Sequence, residues 1–178
     1  MHKGHPSQTL NKTDMTMKKT LLVIILILSA ATTVSAQEIY AEIRRNAQSK
    51  ISDPSADLLV RKFSMFKLEA LNYMAIKMRE QMPDSTAELL DKEALSLTLF
   101  LNIYTQELVK CSQQPPAYQV KVIQAFMDAS YSNPLFRDSD KELVHAYFND
   151  GNSLTRFSLD TDWRRAVLAA KEAMRKLK

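Results

Sequence analysis

The stretch TAELLDKEALSLTLFLNIYTQELVKC, residues 86–111, has the clearest helical periodicity in the chain. Its apolar residues recur in alternating steps of four and three, at Leu90, Ala94, Leu97, Leu101, Tyr104, Leu108 and Cys111. This spacing is typical of a helix that packs in a bundle. Leu95, Leu99 and Ile103 add a second apolar side, so the sequence predicts a helix that is sandwiched between neighbours.

Similar helical patterns lie on both sides of this segment, and prolines fall between them. The predicted helices cover residues 38 to about 50, 55–81, 86–111, 117–130, about 141–148 and 163–177. No stretch alternates with the period of two that a strand requires. The sequence therefore predicts an all-α protein, an irregular antiparallel helical bundle of five or six helices.

Local signals predict how several of these helices begin and which face they bury. Ser85 with Glu88 forms a capping box, as does Ser139 with Glu142. The segment Asp160-Thr161-Asp162 supplies an N-cap for the final helix. The helix over 117–130 is expected to bury one apolar face, formed by Val120, Ile123 and Met127 with Val122 and Phe126 beside it.

Residues 21–36, LLVIILILSAATTVSA, follow two lysines and end in small residues. This is the pattern of a secretory signal peptide with a core over 17–36 and cleavage before Gln37. The alternative is a retained membrane anchor, but polar residues interrupt the run before it reaches spanning length. The sequence thus predicts a leader over 1–36 and a single soluble helical domain over 37–178, periplasmic or extracellular and without an anchor.

Removal of the leader changes the charge of the chain. It takes away four of the 24 basic and one of the 20 acidic side chains, so the net charge falls from +4 to +1. The alkaline isoelectric point of about 9.1 therefore belongs largely to the leader. A nearly neutral mature chain lacks the basic surface of nucleic-acid-binding proteins, and we expect no nucleic-acid partner.

The predicted mature chain contains one glycine, Gly151. Phosphate-binding loops, dinucleotide fingerprints and the nucleophile elbow all need glycines where the backbone turns or approaches a ligand. We therefore expect neither a nucleotide enzyme nor an α/β-hydrolase, and we predict no catalytic residue and no cofactor.

Cys111 and His145 are the remaining candidates for nucleophilic catalysis. Cys111 lies on the apolar seam of its predicted helix, which favours a buried thiol with a raised pKa. His145 falls at the edge of a predicted helical face, which favours a surface histidine. One histidine and one cysteine also supply too few ligands for a zinc site.

Acidic residues are concentrated toward the end of the chain, at Asp138, Asp140, Glu142, Asp150, Asp160 and Asp162. A site for a hard cation is one interpretation of this cluster, although the spacing of a calcium-binding EF-hand is missing. Helix capping is the other interpretation, and we favour it because the acids fall where helices are predicted to start. No metal is expected.

The segment NDGNSLTRFSLDTDW, residues 149–163, combines the only tryptophan of the chain with several acids. As a recognition loop it would contact a partner through Asp150, Asn152, Arg156, Asp160, Asp162 and Trp163. In the alternative interpretation, which we favour, Phe157 and Leu159 close the end of the bundle and Asp160 caps the last helix.

The lysine-lysine leader, the low glycine content and the string FSLDTDW at 157–163 resemble small exported helical proteins of gut-type Gram-negative bacteria. The resemblance implies an exported helical protein and assigns no activity, substrate or site residue. By elimination of the catalytic, metal-binding and nucleic-acid-binding classes, the residues predict a non-catalytic module that binds another envelope or secreted protein. The alternative is a binder of a small molecule or lipid, with a cavity between the central helices.

Overall fold

The structure, a computed structural model, describes residues 38–136 and 154–177. Within these ranges the chain forms five helices and no strand. They are α1 (Glu38–Ser52), α2 (Leu58–Gln81), α3 (Ala87–Cys111), α4 (Pro116–Tyr131) and α5 (Trp163–Leu177). The prediction of an all-α fold is confirmed.

Helix α3 lies at the centre of the bundle. It packs against each of the other four helices, while α1 also packs against α2 and α4 against α5. The ring of Phe63, early in α2, lies 6.2 Å from that of Tyr104, late in α3. The N–H of Asp162, just before α5, donates to the carbonyl of Asn133, just after α4. These contacts show that α2 runs opposite to α3 and α5 opposite to α4, as in the predicted antiparallel bundle.

The core is organised around aromatic rings. The Phe100 ring on α3 lies 5.2 Å from that of Phe126 on α4 and 5.3 Å from that of Trp163 on α5. Phe157, from the segment before α5, lies 4.9 Å from Tyr104 and 5.1 Å from Phe100. Because the 154–162 segment inserts this ring into the core, it closes the bundle as the alternative interpretation of the loop predicts.

Helix α2 begins at Leu58 and not at the predicted Ser55. The carboxylate of Asp57 accepts a hydrogen bond of 2.8 Å from the N–H of Leu59, which fixes the first turn. Ser55 instead donates from its N–H and its hydroxyl to Asp53, so it belongs to the preceding turn.

The predicted capping box at the start of α3 is wrong in its first residue. The cap is Thr86, whose hydroxyl oxygen accepts from the N–H of Leu89 at 3.3 Å. Glu88 is exposed and pairs with Lys92 at 2.7 Å. Ser85 and Thr86 can both act as an N-cap, and the backbone conformation of the turn before α3 places Thr86 at the cap position.

Two predicted faces differ from the observed ones. Leu95 and Leu99 on α3 are 48% and 42% exposed, so the predicted second apolar side of this helix is not covered at these positions. Helix α4 buries Val122 and Phe126 completely, whereas Val120 is 63% exposed. Apolarity alone does not reveal on which side of a helix its neighbours lie, because that depends on the angles at which the helices meet.

Several predictions fall outside the described residues. They concern the signal peptide at 17–36, the capping box at Ser139 and the short helix over 141–148. Within the described ranges, none of the helices is both long and apolar enough to span a bilayer.

Candidate functional site

The predicted recognition loop is described from residue 154 onward, so Asp150 and Asn152 lie outside the described residues. The described part folds inward. Trp163 is fully buried and Asp160 is 4% exposed, whereas Arg156 and Asp162 are partly exposed. Of the six proposed contact residues, only Arg156 and Asp162 are therefore shown with surface that a partner could reach.

Asp160 and Asp162 stabilise the loop in different ways. One carboxylate oxygen of Asp160 accepts hydrogen bonds from the N–H groups of Leu135 and Phe136, at 3.0 and 2.8 Å. The expected cap of the last helix is instead Asp162, whose Oδ1 accepts from the N–H of Arg165 at 2.9 Å. The prediction that Asp160 caps this helix is wrong, because its side chain points to the segment after α4.

Hydrogen bonds also join the loop to the end of α4. The hydroxyl of Thr161 lies 3.0 Å from the carbonyl oxygen of Ser130, and the N–H of Ser158 donates to the Ser130 hydroxyl at 3.3 Å. All three residues are buried. A buried loop with satisfied polar groups acts as part of the core, so this segment positions α5.

Glu93 on α3 is a buried carboxyl that the sequence analysis did not single out. Its exposed fraction is 1%, and its Oε2 accepts a hydrogen bond of 2.8 Å from the N–H of Trp163 at the start of α5. Oε1 has no hydrogen-bond partner in the described part of the chain. Burial raises the pKa of Glu93 to about 7, the Asp162 carboxylate adds to this rise, and the N–H groups of Trp163 and Arg164 oppose it.

Asp91, two residues earlier, has a similar role toward α1. It is 4% exposed, and its Oδ1 accepts a hydrogen bond of 2.9 Å from the N–H of Tyr40 in the first turn of that helix. Helix α3 therefore caps the N-termini of two other helices through side chains of its own. A sequence pattern does indicate that Glu93 is buried. This acidic residue falls on the same face of the helix as the apolar residues Leu97 and Tyr104.

A groove between α4 and α5 is the largest apolar concavity that we describe. Its volume is about 590 Å³. We call it the α4–α5 groove, and its walls contain small side chains, Ala125, Ala129, Ala169 and Ala173. Polar residues lie around these alanines, among them Lys121 and Lys176, and the exposed Val120 lies at one end.

A second cavity, of about 530 Å³, lies where the start of α1, the end of α2 and the start of α3 meet. Its lining is mixed. Arg44 and Arg79 contribute cations, and Asp91 contributes a buried carboxylate. The guanidinium carbon of Arg44 lies 5.5 Å from the centre of the Tyr40 ring. Such a lining suits a polar molecule better than a lipid tail.

Cys111 is 2% exposed, which confirms the prediction of a core cysteine. Burial raises the pKa of its thiol, and the Glu107 carboxylate adds to this rise. Its predicted alternative partner, His145, lies outside the described residues. Among the residues that are described, no group of histidine, cysteine or acidic side chains could hold a metal ion.

No protein-family model, curated protein or solved structure matches the chain.

Proposed function

We propose that this chain is an exported, non-catalytic module that binds another envelope or secreted protein. The observation that carries the proposal is the α4–α5 groove, an apolar surface with charged side chains at its edges. Exposed concave apolar surface is typical of the sites where proteins receive a partner segment.

An amphipathic helix of the partner fits this groove best. The alanine side chains of α4 and α5 are short, so a partner backbone can approach both helices closely. Lys121 and Lys176 lie at the edges, where they favour acidic residues beside the apolar face of the partner helix. Asp128 also lines the groove and Lys176 pairs with Glu172 at 3.6 Å, so Lys121 is the cation that most favours an acidic residue of the partner helix.

Site-specific photo-crosslinking in cells that export the protein tests this proposal. A photoreactive residue at Val120, at the end of the groove, is expected to give one adduct with a different envelope or secreted protein. The same residue at Val109 is the matched control, since Val109 is 68% exposed on α3 and does not line the groove.

Ala173→Glu places a charge in the half-buried wall of the groove, and we expect it to remove the Val120 adduct while the helical content is retained. Equal adducts from Val120 and Val109, or an adduct that survives Ala173→Glu, would contradict the proposal. An adduct of twice the chain mass would identify a second copy of this chain as the occupant and overturn the choice of partner.

A binder of a small polar molecule is the second candidate. The observation in its favour is the cavity beside Arg44, Arg79 and Asp91, whose volume lies in the range of ligand sites. Native mass spectrometry of the exported protein is expected to show a retained small-molecule mass in this case. Loss of that mass in Arg79→Gln but not in the exposed Arg61→Gln would assign the ligand to this cavity.

A further inference from the structure

A third cavity, of about 290 Å³, lies between α1, α2 and α3, away from the residues of the α4–α5 groove. Its polar lining comes from Lys50 at the end of α1, Ser64 and Lys67 on α2, and Asn102, Thr105 and Gln106 on α3. The hydroxyl of Thr105 donates to the carbonyl of Leu101. No acidic residue lines it. The cavity therefore combines two cations with hydroxyl and amide groups, and nothing within its lining neutralises the positive charge.

The two lysines line the same cavity, which brings two like charges to one site. Burial lowers the pKa of the Lys67 ammonium, and the Lys50 ammonium lowers it further. In the described part of the chain neither lysine forms an ion pair. A half-buried cation beside a like charge is unfavourable, and an anion between Lys67 and the exposed Lys50 would relieve the repulsion.

The donors around this cavity come from three helices. Lys50, Lys67 and Asn102 lie on α1, α2 and α3, so an anion in the cavity would be surrounded by donors from separate elements. A planar carboxylate presents two oxygens in one plane, whereas phosphate and sulfate present oxygens in all directions. Lysine ammonium groups with amide and hydroxyl donors are ligands that such tetrahedral oxyanions accept.

We propose that the cavity between α1, α2 and α3 binds a phosphate or sulfate group through Lys50 and Lys67. The group can be a free anion or the end of a small ester, because the cavity is larger than the anion itself. Ser64 lies among these residues, and its hydroxyl supplies a further donor. This site does not depend on the proposed function of the α4–α5 groove.

Isothermal titration of the full chain tests the proposal, with inorganic phosphate, sulfate and acetate as probes at constant ionic strength. Phosphate or sulfate is expected to bind saturably at one site, and acetate more weakly. Lys67→Gln is expected to weaken the binding by about tenfold or more, since it removes a charge-assisted hydrogen bond. Lys67→Arg is expected to restore most of the affinity.

Lys62→Gln is the matched control, because Lys62 is an exposed lysine on the same helix and does not line the cavity. Its affinity for the anion is expected to equal that of the wild type. Far-ultraviolet circular dichroism shows whether each variant keeps its helices, and Lys50→Gln provides a second variant at the site.

Three results would overturn the proposal: no saturable binding of phosphate or sulfate, equal affinity in the wild type and Lys67→Gln, or acetate binding as tight as that of phosphate.

Comparison of phosphate with a small phosphate monoester then separates the two sources of the group. Tighter binding of the ester would identify an esterified ligand, and equal binding would identify the free anion. Lys67→Gln is expected to give the same Val120 crosslink as the wild type. A negative result for anion binding would therefore leave the proposal for the α4–α5 groove intact.

Discussion

At the scale of single residues, the buried carboxyl of Glu93 links the protonation of the protein to its stability. It changes charge near neutral pH while its Oε2 accepts a hydrogen bond from the first residue of α5. Between its ordinary pKa of 4.5 and the raised value of about 7, the folded chain holds a proton that the unfolded chain has lost. The contribution of Glu93 to stability therefore falls as the pH rises through this window.

Glu93→Gln is expected to remove this pH dependence. Relative to the wild type, the variant should gain up to about 3 kcal/mol in the free energy of unfolding between about pH 5 and about pH 8. Guanidinium unfolding at both pH values measures the change. The control is Glu42→Gln, at an exposed position of α1. If both variants follow the wild type at both pH values, Glu93 does not bind the proton that we assign to it.

Cys111 gives a second prediction at this scale. Since its side chain is buried and burial raises the pKa of its thiol, we expect a disulfide reagent to label the native chain slowly. The rate should be at least about 100-fold lower than in the denatured chain. All labelling reports this site, because the sequence has a single cysteine. A native rate close to the denatured one would place the thiol outside the core.

At the scale of secondary-structure elements, the segment before α5 shows how a loop can be as important for stability as a helix. Asp160 binds two backbone N–H groups of another segment while it is itself buried. The side chain of Asp162, two residues later, caps only its own helix, and Asp162 reaches the segment after α4 through its backbone N–H alone. The side chains of the two aspartates therefore differ in the elements that they connect, although the sequence presents them as equivalent.

Alanine substitutions are expected to show this difference. Asp160→Ala should cost about 3 kcal/mol, because it leaves one buried and one half-buried N–H without their carboxylate acceptor. Asp162→Ala should cost about 1 kcal/mol, as expected for the loss of an N-cap. Denaturant unfolding measures both, with the exposed Asp84→Ala as the control. Equal costs for Asp160→Ala and Asp162→Ala would contradict the role that we assign to Asp160.

At the scale of the whole molecule, cleavage of the leader predicted over 1–36 sets the N-terminus, the net charge and the histidine count of the mature protein. If it is cleaved as predicted, the exported chain begins at Gln37, has a net charge of +1 and contains a single histidine. Intact-mass measurement of the exported protein is expected to give the mass of residues 37–178, less one ammonia if Gln37 cyclises. A mass that includes residues 17–36 would identify a membrane-anchored protein instead.

The periodicity of the sequence was sufficient to predict the helices that the structure describes. Apolar spacing and proline breaks placed α1, α3, α4 and α5 within about two residues of their observed ends, because both signals act within one helix. The burial of Cys111, Phe157 and Leu159 was also predicted correctly. Local patterns were less informative at the starts of α2 and α3, where several residues can serve as caps and one is selected by the geometry of the turn.

The sequence by itself determined the all-α class, the breaks between the first four described helices and the apolar seam of α3, since these follow from contacts between residues close in the chain. Only the tertiary structure decided that Asp91 and Glu93 cap the starts of α1 and α5, and that Trp163 lies in the core. It also decided that Lys50 and Lys67 share a cavity. These features join distant parts of the chain, and their geometry depends on how the helices pack.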